Sequence, residues 1–212
     1  MIDFILHIDV HLAALMASYG PWIYAILFLI LFAETGFVVT PFLPGDSLIF
    51  AAGALAAATF HSATGRMDIW VLVVLLPAAA IIGDAVNYWI GKNFGARILN
   101  RFEHTKMVKT YIPETEAFFE RHGGKTILLA RFVPFARTFA PFIAGIGKMH
   151  YGRFAQFNIV GAFIWTWLFL ALGFFFGKIP IVQNNFEIVI LAIIFISVAP
   201  MIFKFLQSKL KK

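Results

Sequence analysis

The chain has 212 residues, of which 61% are hydrophobic and 13% are charged, whereas about 25% of the residues in a typical soluble domain are charged. A globular interior of this size cannot bury so much apolar surface, and the mean hydropathy of +0.86 indicates that lipid covers the remainder. Composition therefore excludes an ordinary soluble protein and predicts an integral membrane protein. Cysteine is absent, which excludes disulfides, thiolate nucleophiles and cysteine-ligated metals.

The net charge of +6 is concentrated in two parts of the chain, since fifteen of the seventeen basic residues lie within 92–153 and 204–212. The positive-inside rule places both blocks in the cytoplasm, and this clustering argues against a nucleic-acid-binding surface. No Lys or Arg precedes Arg66, so the basic region of a secretory signal is missing and the N-terminal segment is expected to be retained.

The N-terminal part predicts an interfacial helix and then a broken membrane segment. Residues 1–21 carry a polar stripe at helical spacing, which is typical of a helix lying in the membrane interface. Residues 22–60 begin as an apolar helix, but the rest of this segment is divided into pieces too short to cross about 30 Å of hydrocarbon. We therefore predict a first helix and a re-entrant hairpin, with hairpin breaks at Pro41, Pro44 and Gly45.

The middle of the chain repeats this pattern after one ordinary span. Residues 69–91 predict a spanning helix, and 92–125 form a cytoplasmic basic segment with seven basic and four acidic residues. Residues 126–147 are apolar but again too interrupted for a single spanning helix, which predicts a second re-entrant hairpin. The breaks expected in this hairpin are Pro134, Pro141 and Gly145.

The C-terminal part predicts two more spans, over 154–177 and 186–204, before a basic cytoplasmic tail at 205–212. The whole chain is thus expected to be a single membrane domain. Its predicted fold is an all-α polytopic membrane protein with inverted repeats, each with a re-entrant hairpin and a spanning helix. With both termini in the cytoplasm, the two hairpins enter from opposite faces, an arrangement that points to a transport site near the midplane.

Five charged residues fall within or beside the apolar segments: Glu34, Asp46, Asp84, Arg131 and Arg137. Each costs about 2.5–3.5 kcal/mol at the centre of a membrane helix, so each needs a partner or water. The simplest compensation is that the acids of the first hairpin meet the arginines of the second. Such pairs either only fasten the hairpins together, or also bind an anionic head group through the arginines and carry protons on the acids.

Other chemistry finds little support in the sequence. His7 and His11 have the spacing of a metal pair but lack the glutamate of a zinc-protease helix. No nucleophile, base and orienting group can be assembled, so we expect no enzyme, no metal and no cofactor. Gly91/Gly95 and Gly173/Gly177 have the spacing at which small residues let two membrane helices pack closely. A homo-oligomer that uses these glycines is therefore one possible assembly.

Four stretches together resemble the bacterial DedA family, also described as VTT-domain or SNARE-associated-type membrane proteins. The first runs from Phe32 to Ser47 and contains Pro41-Phe-Leu-Pro44-Gly45-Asp46-Ser47, and the second is Gly83-Asp84-x-x-Asn87-Tyr88. The others are Arg131-Phe-x-Pro134-x-x-Arg137-x-x-x-Pro141-x-x-Ala144-Gly145 and Asn158-x-x-Gly161-Ala162-x-x-Trp165. The likeness runs over nearly the whole chain.

The resemblance implies a bacterial inner-membrane protein with two opposed hairpins, related through the VTT domain to eukaryotic lipid scramblases. Family members are implicated in returning undecaprenyl phosphate across the membrane, and others are linked to proton-motive force, cation tolerance and envelope stress. The family's functional acids and arginines fall here on Glu34, Asp46, Arg131 and Arg137.

From these observations we expect a lipid transporter that moves undecaprenyl phosphate or a phospholipid between leaflets, with proton coupling as a hypothesis. Arg131 and Arg137 would hold the phosphate, while Glu34, Asp46 and Asp84 form ion pairs or carry protons. The first alternative is a proton-coupled exchanger of small cations or drugs. The second is a membrane-organising protein that acts through basic residues of the 92–125 segment such as Lys106 and Lys109.

Overall fold

A computed structural model describes residues 18–37, 45–59, 67–101, 117, 119–133, 136–177, 179–183, 185, 188–189 and 191–192. Over these residues every regular element is helical and no strand occurs, which confirms the all-helical class. Several predicted features lie outside the described residues. These are the interfacial helix up to residue 17, Pro41, Pro44, Pro134, Lys106, Lys109, most of the 186–204 span and the 205–212 tail.

Seven α-helices have defined bounds within the described ranges. They are α1 (Trp22–Gly36), α2 (Gly45–Ala58), α3 (Ile69–Arg101), α4 (Thr126–Ala130), α5 (Ala136–Ile146), α6 (Tyr151–Phe176) and α7 (Pro180–Gln183). A 3₁₀ turn over Gly123–Lys125 leads directly into α4. Gly123 has a φ of +57°, a left-handed conformation that glycine adopts without steric cost.

Two helices are long and apolar enough to cross a membrane by length and composition, Ile69–Gly95 within α3 and Tyr151–Phe176. Both carry large apolar side chains on their outer surface, among them Val74, Ile82 and Val160. An exterior of this kind is unfavourable in water and natural in lipid. Helices α1 and α2, with 15 and 14 residues, are shorter than the roughly 20 residues that a spanning helix needs.

The chain divides into two compact units. The first unit contains the described residues of Met1–Ile30, Pro44–Pro77 and Ile164–Lys212, and the second unit those of Leu31–Leu43 and Ala78–Phe163. The first unit therefore holds α2, and the second holds α4 and α5. Helices α1, α3 and α6 are each divided between the two units, after Ile30, Pro77 and Phe163 respectively.

Helix α2 packs closely on α6 in the first unit because two glycines leave room for backbone contact. A Cβ atom on Gly53 would collide with the carbonyl oxygen of Leu170, and one on Gly173 with that of Phe50. Tyr24 fixes the start of α3 in the same unit, since its hydroxyl accepts a hydrogen bond from the backbone N–H of Asp68 at 2.7 Å.

Helix α5 packs on the second half of α3 in the same manner, and this contact corrects two predictions. The sequence predicts breaks of the second hairpin at Pro141 and Gly145, yet both residues lie inside α5. Proline removes only one helical hydrogen bond there, and residues 138–145 are all buried, so packing stabilises the helix despite that loss. Gly145 serves close approach instead, because a Cβ on it would collide with the carbonyl oxygen of Tyr88.

The span predicted over 69–91 is also longer than expected, because α3 continues to Arg101. The basic residues after Gly91 suggest the start of a loop by their charge, but Lys and Arg are good helix formers. Gly45, predicted at a break, is the first residue of α2, and Gly91 lies in the interior of α3, where a Cβ would collide with the carbonyl oxygen of Phe142.

Candidate functional site

Glu34 and Arg137 form an ion pair in the second unit. Nη2 of Arg137 donates a hydrogen bond to Oε1 of Glu34 at 2.7 Å, and their side chains are only 17% and 5% exposed. Glu34 lies near the end of α1 and Arg137 in the first turn of α5. The pair therefore joins an acid of the predicted first-helix and hairpin segment, 22–60, to an arginine of the second hairpin.

Arg131 forms a second ion pair with Asp84 of α3. Its Nη2 lies 2.5 Å from Oδ2 of Asp84, with both side chains at most 5% exposed, and it also donates to Oδ1 of Asn158 at 2.6 Å. Asn158 in turn donates through Nδ2 to the carbonyl oxygen of Ile81 at 3.0 Å. A buried guanidinium thus has a charged partner and a neutral one, as its removal from water requires.

The two ion pairs line one small cavity. Its walls are formed by both acids and both arginines of the pairs together with Thr35 and Thr138, and its volume is about 10 Å³. A space of that size holds about one water molecule. In this conformation the arginines are occupied by carboxylates, and a phosphate group does not fit beside them.

Glycines bring the helices of this site together. Gly83 directly precedes Asp84, and a Cβ on it would collide with the hydroxyl of Thr35, so α1 and α3 approach closely where they carry Glu34 and Asp84. Gly161 of α6 leaves room for the side chain of Arg131, because a Cβ on it would lie 3.1 Å from Cδ and Nε of that arginine.

Asn87 connects the two chain segments that carry the first pair. It is completely buried, and its Nδ2 donates to the carbonyl oxygens of Thr35 at 3.0 Å and Thr138 at 2.8 Å. These acceptors directly follow Glu34 and Arg137 in the sequence. Asn87 therefore fixes the backbone at both members of the ion pair.

Asp46 belongs to the first unit and has a different kind of partner there. Its Oδ1 accepts a hydrogen bond from Nε1 of Trp165 at 2.9 Å. Asp46 lies in the first turn of α2, where the helix dipole favours a negative charge. Trp165 is 1% exposed and Asp46 is half-buried, so this hydrogen bond is partly shielded from water.

The structure thus brings four of the five predicted charged residues together as two pairs lining one cavity. Asp84, which belongs to a span and to neither hairpin, is the partner of Arg131. Asn87, Asn158, Gly83 and Gly161 occur in the stretches that carry the family resemblance, but the sequence alone assigns them no role in the site. The two asparagines could have been found from the sequence, because an amide inside an apolar span is buried and needs hydrogen-bond partners.

An all-helical membrane protein with paired buried charges is the class that the fold and site define. Its sequence matches the VTT domain model over residues 43–175. It is 54% identical to the DedA protein of Escherichia coli K12 over 209 residues, which cover 99% of this chain and 94% of that relative. An uncharacterised membrane protein of Mycobacterium leprae is 42% identical over 171 residues, covering 81% of this chain and 74% of the relative.

A more distant relative is the inner membrane protein YqjA of E. coli K12, which is 34% identical over 163 residues, or 75% of this chain and 70% of the relative. No solved structure matches the chain. The protein belongs to the DedA family of VTT-domain membrane proteins. The family resemblance seen in the sequence is therefore confirmed.

Proposed function

We propose that the protein moves an anionic lipid between the leaflets of the bacterial inner membrane, with undecaprenyl phosphate or a phospholipid as the substrate. The observation that supports this most directly is that Arg131 and Arg137 line one cavity inside the apolar part of the chain. Guanidinium groups bind phosphate oxygens in a bidentate manner, which makes arginine well suited to a phosphate head group. The apolar tail stays in lipid, so no large cavity is needed.

In this mechanism the phosphate competes with the carboxylates for the arginines. The head group displaces Glu34 from Arg137 and Asp84 from Arg131, and the cavity opens as the pairs separate. A carboxylate released in an apolar environment favours its protonated form, so head-group binding is coupled to proton uptake. After the lipid leaves, the acids lose their protons and the pairs form again. This cycle makes the ion pairs the closed state of the carrier.

Liposome reconstitution tests the proposal. The full-length protein is inserted into vesicles that contain either a fluorescent prenyl phosphate or a fluorescent phosphatidylglycerol, and leaflet exchange is measured for wild type, Glu34→Gln and Arg137→Ala. A matched control is Arg97→Gln, because Arg97 is exposed on α3 and lines neither described cavity. We expect faster exchange of at least one lipid, lost in both site variants and retained in the control. Absence of exchange of either lipid by folded protein, with and without a pH gradient, contradicts the proposal.

A proton-coupled exchanger of small cations or drugs is the second candidate. Two carboxylates, Glu34 and Asp84, face a cavity the size of about one water molecule, which suits a small cation better than a phosphate. In that case the acids bind the substrate and the arginines only adjust their charge. Glu34→Gln would then abolish transport, Arg131→Ala would have a milder effect, and added prenyl phosphate would not compete.

A further inference from the structure

A second, much larger cavity lies elsewhere in the second unit. Its volume is about 540 Å³, within the range of roughly 300–1,000 Å³ that small-molecule sites occupy. Its lining includes the apolar side chains of Phe119, Ile143, Ile146 and Met149, which are here called the apolar wall. It shares no lining residue with the small cavity at the ion pairs, so neither Arg131 nor Arg137 forms part of it.

Charged side chains line the same cavity. Arg153 and His150 contribute basic groups and Glu120 contributes one acid. Exposed Arg121, Lys125 and Lys148 adjoin the lining residues in sequence. Among the described residues that line the cavity, basic side chains outnumber the one acid, Glu120, which would oppose an anion.

The 3₁₀ turn leaves space for the Arg153 guanidinium. A Cβ atom on Gly124 would lie 3.1 Å from Nε of Arg153 and 2.6 Å from the ring of Phe157. Glycine at this position therefore lets the arginine lie against the turn at the cavity wall. A planar guanidinium beside an apolar wall is suited to a phosphate that carries a hydrocarbon chain.

We propose that this cavity binds the phosphate head group of a lipid. The phosphate interacts with Arg153 and His150, and the first part of the acyl or prenyl chain lies against Ile143, Ile146 and Met149. The apolar wall is the reason to prefer a lipid over free phosphate. Because the basic block 92–153 is predicted to face the cytoplasm, the lipid comes from the inner leaflet. The site binds lipid whether or not the ion pairs support exchange between leaflets.

Binding is measured with the full-length protein in a non-ionic detergent. The probes are a short-chain phosphatidylglycerol below its micelle concentration, phosphatidylcholine with the same chains, and inorganic phosphate, each titrated by calorimetry. The variants are Arg153→Gln, Glu120→Gln and the control Arg97→Gln, whose thermal unfolding midpoints are recorded alongside. Arg137→Ala is included to separate this site from the one proposed for transport.

We expect phosphatidylglycerol to bind about tenfold more weakly to Arg153→Gln, since a charge-assisted hydrogen bond is lost. Glu120→Gln should bind it about threefold more tightly, because an opposing charge is removed. A gain in affinity cannot result from misfolding, so this variant keeps the test decisive if Arg153→Gln is unstable. The control Arg97→Gln should bind as wild type does, and Arg153→Gln should weaken binding by the same factor in the Arg137→Ala background as in the wild-type background.

Three results overturn the proposal. Equal weakening by Arg153→Gln and Arg97→Gln would show only a general effect of net charge. Binding of inorganic phosphate as tight as that of phosphatidylglycerol would assign the cavity to a free anion. Loss of phosphatidylglycerol binding in Arg137→Ala alone would locate the lipid at the ion pairs instead.

Discussion

The two compact units are built alike around their short helices. In the first unit α2 packs on the second half of α6 through Gly53 and Gly173, and in the second unit α5 packs on the second half of α3 through Gly91 and Gly145. In each case a glycine on one helix faces a backbone carbonyl of the other. Both contacts therefore depend on the absence of side chains, which allows backbones to approach closely in a membrane protein.

The units differ in the partners of their carboxylates. In the second unit Glu34 and Asp84 accept hydrogen bonds from guanidinium groups at 2.7 and 2.5 Å. In the first unit Asp46 accepts one from the neutral indole of Trp165 at 2.9 Å. Among the described residues, a similar packing of helices thus carries carboxylate–guanidinium pairs in one unit and a carboxylate–indole contact in the other, so the packing does not by itself determine which charges a unit holds.

The largest effect is expected from breaking the Arg131–Asp84 pair in the second unit. Arg131→Ala leaves a buried carboxylate without its cation, which costs about 3–5 kcal/mol in the free energy of unfolding. The double variant Arg131→Gln/Asp84→Asn removes both charges and should recover most of that loss. Chemical denaturation in detergent measures all three proteins. A loss below about 1 kcal/mol for the single variant would place this pair among those that contribute little.

Asn87→Ala tests how the second unit positions its other pair. The variant leaves the carbonyl oxygens of Thr35 and Thr138 without the amide donor seen here, at a cost of about 1–3 kcal/mol. Lipid exchange should fall further than stability alone explains, because Glu34 and Arg137 lose their alignment. The matched variant is Asn93→Ala, whose exposed amide donates to the carbonyl oxygen of Trp89 within α3. Equal effects of the two variants would contradict a positioning role for Asn87.

Alanine at the contact glycines tests whether the two units share one packing principle. Gly53→Ala in the first unit and Gly145→Ala in the second should each cost about 1–3 kcal/mol, because the new methyl group forces two backbones apart. Gly152→Ala is the control, since its Cβ would meet only the side-chain ring of His150, at 3.3 Å. A large loss in one unit without a loss in the other would end the comparison between their frames.

The helical class and four of the charged residues could be predicted from the sequence because both depend on local composition. Apolar runs of more than twenty residues predict α3 and α6 without reference to the rest of the chain. Glu34, Asp84, Arg131 and Arg137 stand out because an ionised side chain in an apolar segment is costly wherever it lies.

The ion-pair partner of each charged residue and the positions where helices are interrupted are harder to predict, because both depend on packing. Nothing local assigns Arg131 to Asp84, since the two residues lie 47 positions apart and Arg131 is held against Gly161 of α6. The residue types of Pro141 and Gly145 predict breaks, whereas buried contacts keep α5 continuous through both. Tertiary burial outweighs helix propensity there.

The smallest effect on stability is expected from Asp46→Asn in the first unit, and it tests the difference between the units most directly. Asparagine keeps an oxygen that accepts from the Trp165 indole, so the free energy of unfolding should change by about 1 kcal/mol or less. Asp46→Ala removes that acceptor and should cost about 1–3 kcal/mol, because a buried N–H loses this partner. If the carboxylate of Asp46 binds the coupling proton, lipid exchange in Asp46→Asn should no longer respond to a pH gradient although the protein remains folded. If exchange keeps its full response, Asp46 does not carry the coupling proton, and proton coupling belongs to the acids of the second unit.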